Sequence, residues 1–390
     1  MIKRDITPIF QEAVRTHPVV TVFGPRQSGK TTLVRHLLPH YKYANLENPK
    51  ERELASQDPE AFFALHPAPV IIDEVQRVPE LLSWIQVKVD ESGQKGEYVL
   101  TGSHQPLLRE TISQSLAGRT ALITLLPLSL SELSGSGLPP TRDQAIYQGF
   151  LPRIFSDGLN PTEANEEYYR TYVERDVRQL VEVQNQSTFE TFIRLLAGRV
   201  GQVVNFQALS NDVGADAKTL KKWMSVLEAS FVVYRLQPYY RNFGKRFIKS
   251  PKVYFTDVGL ASYLLGITNP SLVARDPLLG GLFENLVVMD LLKNNLNKRL
   301  WQNFYYIRDN NGIEVDLVIE KGRKLHLFEI KSAMTPDRSY GQNMEKIRRC
   351  TNDAVSSNVV YAGEEWPLKG GGHFIPFAKA ADFTTNLDAV

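Results

Sequence analysis

The chain has 390 residues, 43% of them hydrophobic and 23% charged, with a formal net charge of +2 at pH 7. That length exceeds one comfortable core, so two or three domains are expected, and the near-neutral balance means that any nucleic-acid surface must come from local clusters. The single cysteine, Cys350, excludes an internal disulfide and a cysteine-based zinc site. The opening Met1-Ile2-Lys3-Arg4-Asp5 lacks the apolar run of a secretory signal. The most apolar stretch, Ala121 to Leu130, is too short to span a bilayer, so a cytoplasmic chain with no membrane association is expected.

Ile9 to Val14 reads as a short helix and Val19 to Phe23 as a short buried strand. Gly24-Pro25-Arg26-Gln27-Ser28-Gly29-Lys30-Thr31 follows at once and fits the phosphate-binding pattern G-x-x-x-x-G-K-[ST]. Thr32 to Leu38 then places apolar residues at helical spacing. In this setting the loop N–H groups and the positive end of the helix dipole converge on one phosphate chain. Lys30 would reach the β- and γ-phosphates, the Thr31 hydroxyl would sit on Mg²⁺, and Thr32 would complete the nucleotide contacts.

Asp58-Pro59-Glu60 reads as a helix start, with a capping Asp, Pro at the first helical position and an acid in the first turn. Val70-Ile71-Ile72-Asp73-Glu74 is an apolar strand ending in two carboxylates, about 40 residues beyond the phosphate loop. Asp73 would hold the Mg²⁺ shell and Glu74 would orient or deprotonate the attacking water. Tyr98 to Ser103 is another buried strand, whose Thr101 or Ser103 either senses the γ-phosphate or simply exits into a turn. Arg119 precedes the next strand and suits an arginine finger acting on a neighbouring subunit, or an ordinary surface arginine. Gly135 to Pro140 punctuates a domain boundary.

GPRQSGKTTL, IIDEVQ, LTGS and GRTALITLLPLSLSE together resemble an AAA+-class ATPase. With GFLPRIF, YYRTYVERDV, GQVVNFQALS, KSPKVYFTDVGLA, FENLVV and EVDLVIE, the series resembles the bacterial and archaeal family that joins an AAA-type domain to a domain of unknown function, DUF4143. The resemblance implies ATP as the nucleotide, Mg²⁺ as its ion, and a task linked to DNA or defence. Ser103 stands where many AAA+ proteins place an asparagine sensor.

Glu166 to Val183 reads as a helix joining two halves, with a further helix over Thr188 to Ala197. Next comes a short helix from Asn205 to about Gly214, then a longer one capped by Asp216. On the second, Leu220, Trp223, Met224 and Leu227 share one face, and Lys218, Lys221, Lys222 and Ser225 the other. This is a helix-turn-helix pattern, and Phe231 to Leu236 with Lys252 to Phe255 would supply the strands of a wing. Between them lie Arg241, Lys245, Arg246 and Lys249, interleaved with Tyr239, Tyr240, Phe243 and Phe247. That mixture suits phosphate contact with base or sugar stacking, though it also suits a solvated lid or protein-contact module.

Towards the C-terminus, Ile313 to Glu320 and Leu325 to Lys331 read as a hairpin closed by Gly322-Arg323. This register sets Asp316 opposite Glu329, and Val315, Leu317 and Ile319 on a core face with Phe328 and Ile330. Glu284, Asp316, Glu329 and Lys331 resemble the PD-(D/E)xK nuclease core, which implies a possible second Mg²⁺ site on the three acids with Lys331 positioning water. The tail after Gly363 shows no recognisable chemistry.

The expected fold is therefore α/β: a parallel-sheet P-loop AAA+ domain over 1–135, a helical winged-helix domain over 141–256, and a restriction-endonuclease-like α/β domain over 257–390. The leading expectation is an ATP-hydrolysing ring, a hexamer, acting on structured DNA. Two others stand beside it: a nucleotide-controlled switch with protein partners, and an ATP-regulated Mg²⁺-dependent nuclease.

Overall fold

The computed structural model describes residues 2–103, 112, 115–178, 186–239, 248, 250–351, 353–368 and 372–387, without the side chains of 175 and 176. Two compact units result, one running to Leu128 and the other containing most of Ser129–Val390.

In the first unit, helices α1 (Thr7–Thr16), α2 (Lys30–Leu37), α3 (Pro49–Gln57), α4 (Pro59–Leu65) and α5 (Leu81–Ser92) flank a sheet of β1 (Val19–Phe23), β2 (Lys42–Asn45), β3 (Val70–Asp73), β4 (Tyr98–Gly102) and β5 (Thr120–Thr124). The strand order is β2-β3-β4-β1-β5, with every pairing parallel. Parallel strands need helical crossovers, which cover both faces and favour continuous apolar runs such as VVTVF. Successive residues therefore enter two different cores. Val19, Phe23, Val70, Ile72 and Leu100 pack with α4 and α5, while Val20, Val22, Ile71 and Val99 pack with α1 and α2. At α4, Asp58 accepts a hydrogen bond from the Ala61 N–H, with Pro59 at the first helical turn, as its sequence signature implies.

In the second unit, Asn205 caps the helix Phe206–Val213, Gly214 ends it with φ of 76°, and Asp216 accepts from the N–H groups of Lys218 and Thr219 to start Ala217–Ala229. Leu220, Trp223, Met224 and Leu227 are buried and Lys218, Lys221 and Lys222 exposed, as the helical spacing requires. The expected helix from Glu166 begins earlier, at Pro161, and continues as a π-helix over Tyr169–Val177.

The expected wing strands join a larger sheet. β6 (Val233–Pro238) pairs antiparallel with β7 (Lys252–Phe255) but also parallel with β8 (Asn303–Arg308). They close one edge of an eight-stranded sheet that continues through β9 (Glu314–Lys321), β10 (Lys324–Lys331), β11 (Ala354–Tyr361), β13 (Gly372–Pro376) and β12 (Trp366–Leu368). The β9–β10 hairpin pairs Lys321 with Lys324 and continues to Leu317 opposite Phe328, which brings Asp316 level with Glu329. Both of its faces are buried, rather than one. The tail contributes strands because its short apolar runs find partners already in the sheet.

The helix Leu279–Lys298 carries a buried polar side chain that completes the edge strand β7. Asn285 Nδ2 donates to the Phe255 carbonyl (2.8 Å), and its Oδ1 accepts from the Phe255 N–H (2.6 Å). Replacing Asn285 by Leu leaves both backbone groups buried and unpaired, an expected loss of about 2–4 kcal/mol, measured as a lower denaturation midpoint in urea with an unchanged slope.

Candidate functional site

The phosphate loop leaves β1 at its carboxyl end, where ligands of open α/β sheets bind. Gly24 has φ of 155°, and a Cβ there would lie 2.0 Å from the Leu125 carbonyl oxygen, so the turn tolerates no side chain. Gly29, at φ of 89°, caps α2 and aims its first N–H groups into the loop. Lys30 is buried, and its ammonium donates to the carbonyls of Gly24 (3.0 Å) and Pro25 (2.8 Å). Burial pulls its pKa below the ordinary lysine value, against the opposing pull of Glu74 and Asp73. The Ser28 hydroxyl is buried in the same loop without a hydrogen-bond partner among the described residues. A phosphate chain fits this cradle, since it would accept from Ser28, Lys30 and the helix start together. Arg4 braces the loop from outside it, donating to the carbonyls of Ser28 (2.8 Å) and Leu126 (2.7 Å).

Asp73, at the end of β3, accepts from the Thr31 hydroxyl (2.9 and 3.1 Å), the Tyr43 hydroxyl (2.7 Å) and the Thr101 hydroxyl. Thr31 and Asp73 thus form a compact set of hard oxygen donors, suited to an octahedral ion that keeps most of its ligands as water and phosphate. Burial and the Asp73 carboxylate push the Tyr43 phenol well above its ordinary pKa, so it remains a donor. Thr101 is therefore engaged by Asp73. Glu74 has φ of 56°, a left-handed conformation uncommon for a non-glycine residue. Its carboxylate accepts from Gln76 Nε2 and from the Ser103 hydroxyl (3.4 Å), and Gln76 Nε2 also donates to Ser103 (3.0 Å).

Arg26 and Arg77 both donate to Glu47, each at 3.1 Å. Arg119 makes a two-pronged pair with Asp90 on α5 (2.6 and 2.7 Å). It immediately precedes Thr120, which pairs with Val19 at the start of β1, whereas the loop follows Phe23. About 13 Å of strand separates the two ends, so Arg119 does not serve its own loop.

A second group of charges lies under the C-terminal sheet. Lys252, only 1% exposed, places its ammonium 2.7 Å from Glu284, 2.5 Å from Glu314 and 3.6 Å from Asp316. Lys331 lies 2.6 Å from Glu329 and 3.6 Å from the other oxygen of Asp316, which also accepts from the Ile330 N–H (2.9 Å). The expectation of a divalent ion on Glu284, Asp316 and Glu329 does not fit this arrangement. Among the described residues no three acidic, histidine or cysteine side chains are gathered to hold a metal, and an ammonium already lies between the acids. Burial pushes the Glu284 carboxyl up to about 7 despite the pull of Lys252, and burial beside Asp316 raises that of Glu329.

Of the expected nucleic-acid contacts, Lys218, Lys221 and Lys222 are exposed on one helix face. Arg241, Lys245, Arg246 and Lys249, with Tyr240, Phe243 and Phe247, lie outside the described residues. Tyr239 is not available for base stacking. It is buried in the sheet core against Tyr305, with ring centroids 5.3 Å apart.

Comparison with known proteins places these features. An AAA domain matches residues 16–134, a domain of unknown function (DUF8612) matches 140–271, and a domain of unknown function (DUF4143) matches 279–380. Uncharacterized protein Rv2008c of Mycobacterium tuberculosis is 32% identical over 374 residues, covering 94% of this chain and 81% of the relative. The chain belongs to the AAA-domain/DUF4143 family of P-loop ATPases. An uncharacterized protein of Haemophilus influenzae is 24% identical over 241 residues, 57% of each chain. The solved Walker-type ATPase PABY2304 of Pyrococcus abyssi is similar over 68% of this chain and 96% of its own, at 14% identity and a TM-score of 0.43. No helix among the described residues of this AAA-domain/DUF4143 chain is long and apolar enough to cross a membrane.

Sequence reading missed Arg4, Tyr43, Gln76 and Lys252 in this family member. Gln76 follows the acid pair within IIDEVQ and was readable as a polar neighbour, while the other three arrive from distant segments. Tyr43→Phe removes one donor from buried Asp73 while keeping the ring. Nucleotide affinity in the presence of Mg²⁺ should fall by about 5- to 30-fold, corresponding to about 1–2 kcal/mol, as measured by titration calorimetry.

Glu284 supplies a pH test. Its folded pKa of about 7 lies above the ordinary 4.5, so its favourable contribution is complete below 4.5 and is lost as pH rises through 7. Glu284→Gln should flatten the decline in melting temperature over that interval, followed by calorimetry from about pH 4 to pH 8.

Proposed function

We propose that this chain hydrolyses ATP at the 24–31 loop and acts as a ring on structured DNA. The observation that carries hydrolysis is the joint placement of Lys30, the Thr31–Asp73 pair and Glu74 around one loop. Mg²⁺, when bound with ATP, would neutralise phosphate charge. Thr31 and Asp73 would hold that ion, and Lys30 would exchange its loop carbonyls for β- and γ-phosphate oxygens. Glu74 would take or orient the proton of the attacking water, while Ser103 and Gln76 fix the direction of its carboxylate. Arg119 lies at the end of the strands opposite its own loop, so in this reading it would act on the site of a second copy, and closing such head-to-tail contacts would make a ring, a hexamer. The exposed Lys218, Lys221 and Lys222 on the second helix of the pair support the DNA assignment, because phosphate contact needs clustered cations in a chain of near-neutral charge.

The test is ATPase rate on duplex, forked and four-way DNA, for wild type and Glu74→Gln. Glu74→Gln should retain ATP binding and lose about 100-fold or more in turnover, as expected for a positioned general base. DNA should raise the wild-type rate, most of all for one structure. Hydrolysis that is indifferent to every DNA would discard the DNA reading and favour a nucleotide-controlled switch with protein partners.

A further inference from the structure

The acids expected from their hairpin pattern to hold a divalent ion lie instead against a cation that is part of the chain. We infer that the Lys252 ammonium is a built-in replacement for that divalent ion, making the DUF4143 portion a non-cleaving domain whose acidic site is permanently neutralised from within. This inference is independent of the reading of the phosphate loop.

The geometry leaves little choice. Lys252 Nζ touches Glu284 and Glu314 at 2.7 and 2.5 Å and lies 3.6 Å from Asp316. Its position over the Tyr306 ring, 5.5 Å from the centroid, adds a cation–π contact. The Tyr254 hydroxyl shares the same Glu284 oxygen at 2.6 Å. Asp316 has one oxygen towards Lys252 and the other on the Ile330 N–H and towards Lys331, so neither is free to turn to a metal. Arg308 neutralises the far side of Glu314 at 3.2 Å. Lys252, Lys331 and Arg308 therefore face Glu284, Glu314, Asp316 and Glu329, three cations against four acids. Mg²⁺ demands oxygen ligands at about 2.0–2.1 Å, inside the space the ammonium fills. A tethered ammonium also holds its place at an effective concentration that a free ion must exceed. Its removal would leave two cations against four acids, a deficit that a divalent ion could fill.

The experiment uses Mn²⁺ as probe on the full chain, without nucleotide, in an Asp73→Ala background that removes the phosphate-loop ligand. Electron paramagnetic resonance should detect no stoichiometric Mn²⁺ site at about 1 mM ion, a level at which weak oxygen-ligand sites fill. Adding Lys252→Met should create one, with affinity raised at least about tenfold, and adding Asp316→Asn should remove it again. Mn²⁺ bound by the parent and lost with Asp316→Asn would overturn the inference, as would a folded Lys252→Met protein that gains no site. Should Lys252→Met fail to fold, the parent decides by itself. Mg²⁺- or Mn²⁺-dependent DNA cutting abolished by Asp316→Asn overturns the inference, while absence of both binding and cutting upholds it.

Discussion

A carboxylate removed from water must be given donors or a cation, because an unpaired buried charge costs several kcal/mol even after the protein relaxes around it, on the order of 3–5 kcal/mol when a partner is stripped away. Both buried charge clusters described above are organised by that requirement. Asp73 meets it with three hydroxyls brought by α2, β2 and β4, so the elements that surround the phosphate loop are fixed to one another through a single side chain. The acids of the C-terminal sheet meet it with ammonium groups, one of them entirely buried.

The two solutions have different chemical consequences. Hydroxyl donors are neutral and can rotate, so Thr31 can release Asp73 and turn to an ion without leaving an uncompensated charge. An ammonium in the middle of several acids cannot be exchanged so readily, since its departure leaves like charges facing each other in a medium of low dielectric constant. The first arrangement is suited to a cycle and the second to permanence. Glu74 belongs with the cycling group: its left-handed backbone and its shared contacts with Gln76 and Ser103 hold a carboxylate in a conformation that an unrestrained residue would seldom adopt.

Much of this was legible in the sequence where one short segment carries both the signal and the chemistry. The phosphate loop, the Asp73-Glu74 strand end, the amphipathic helix from Ala217 and the β9–β10 register all depend on local period or turn chemistry. What escaped depends on strand order. Lys252 reaches Asp316 from β7 across the two intervening strands β6 and β8, and no periodicity along β7 reports that neighbourhood. Tyr239 followed the same logic in reverse: beside Arg241 it resembled a stacking platform, but pairing of β6 with β8 turned it into the core. Arg4, from the stretch before α1, and Tyr43, on β2, lie in segments whose own patterns carry no sign of the loop. The strand β11 was missed because both of its partners, β10 and β13, pair with it in parallel, so no hairpin turn beside it in sequence announces it.

The placement of β6 and β7 also bears on how such a chain can be inherited. The family boundaries separate 140–271 from 279–380, yet the former stretch supplies the last two strands of the sheet built mainly by the latter. A recombination joint between those stretches would strip β8 of its neighbour, expose a row of backbone donors and acceptors, and remove Lys252 from the acids it serves. Descendants that kept one stretch would therefore be expected to keep the other, and the two regions to travel through evolution as one heritable module despite their separate boundaries.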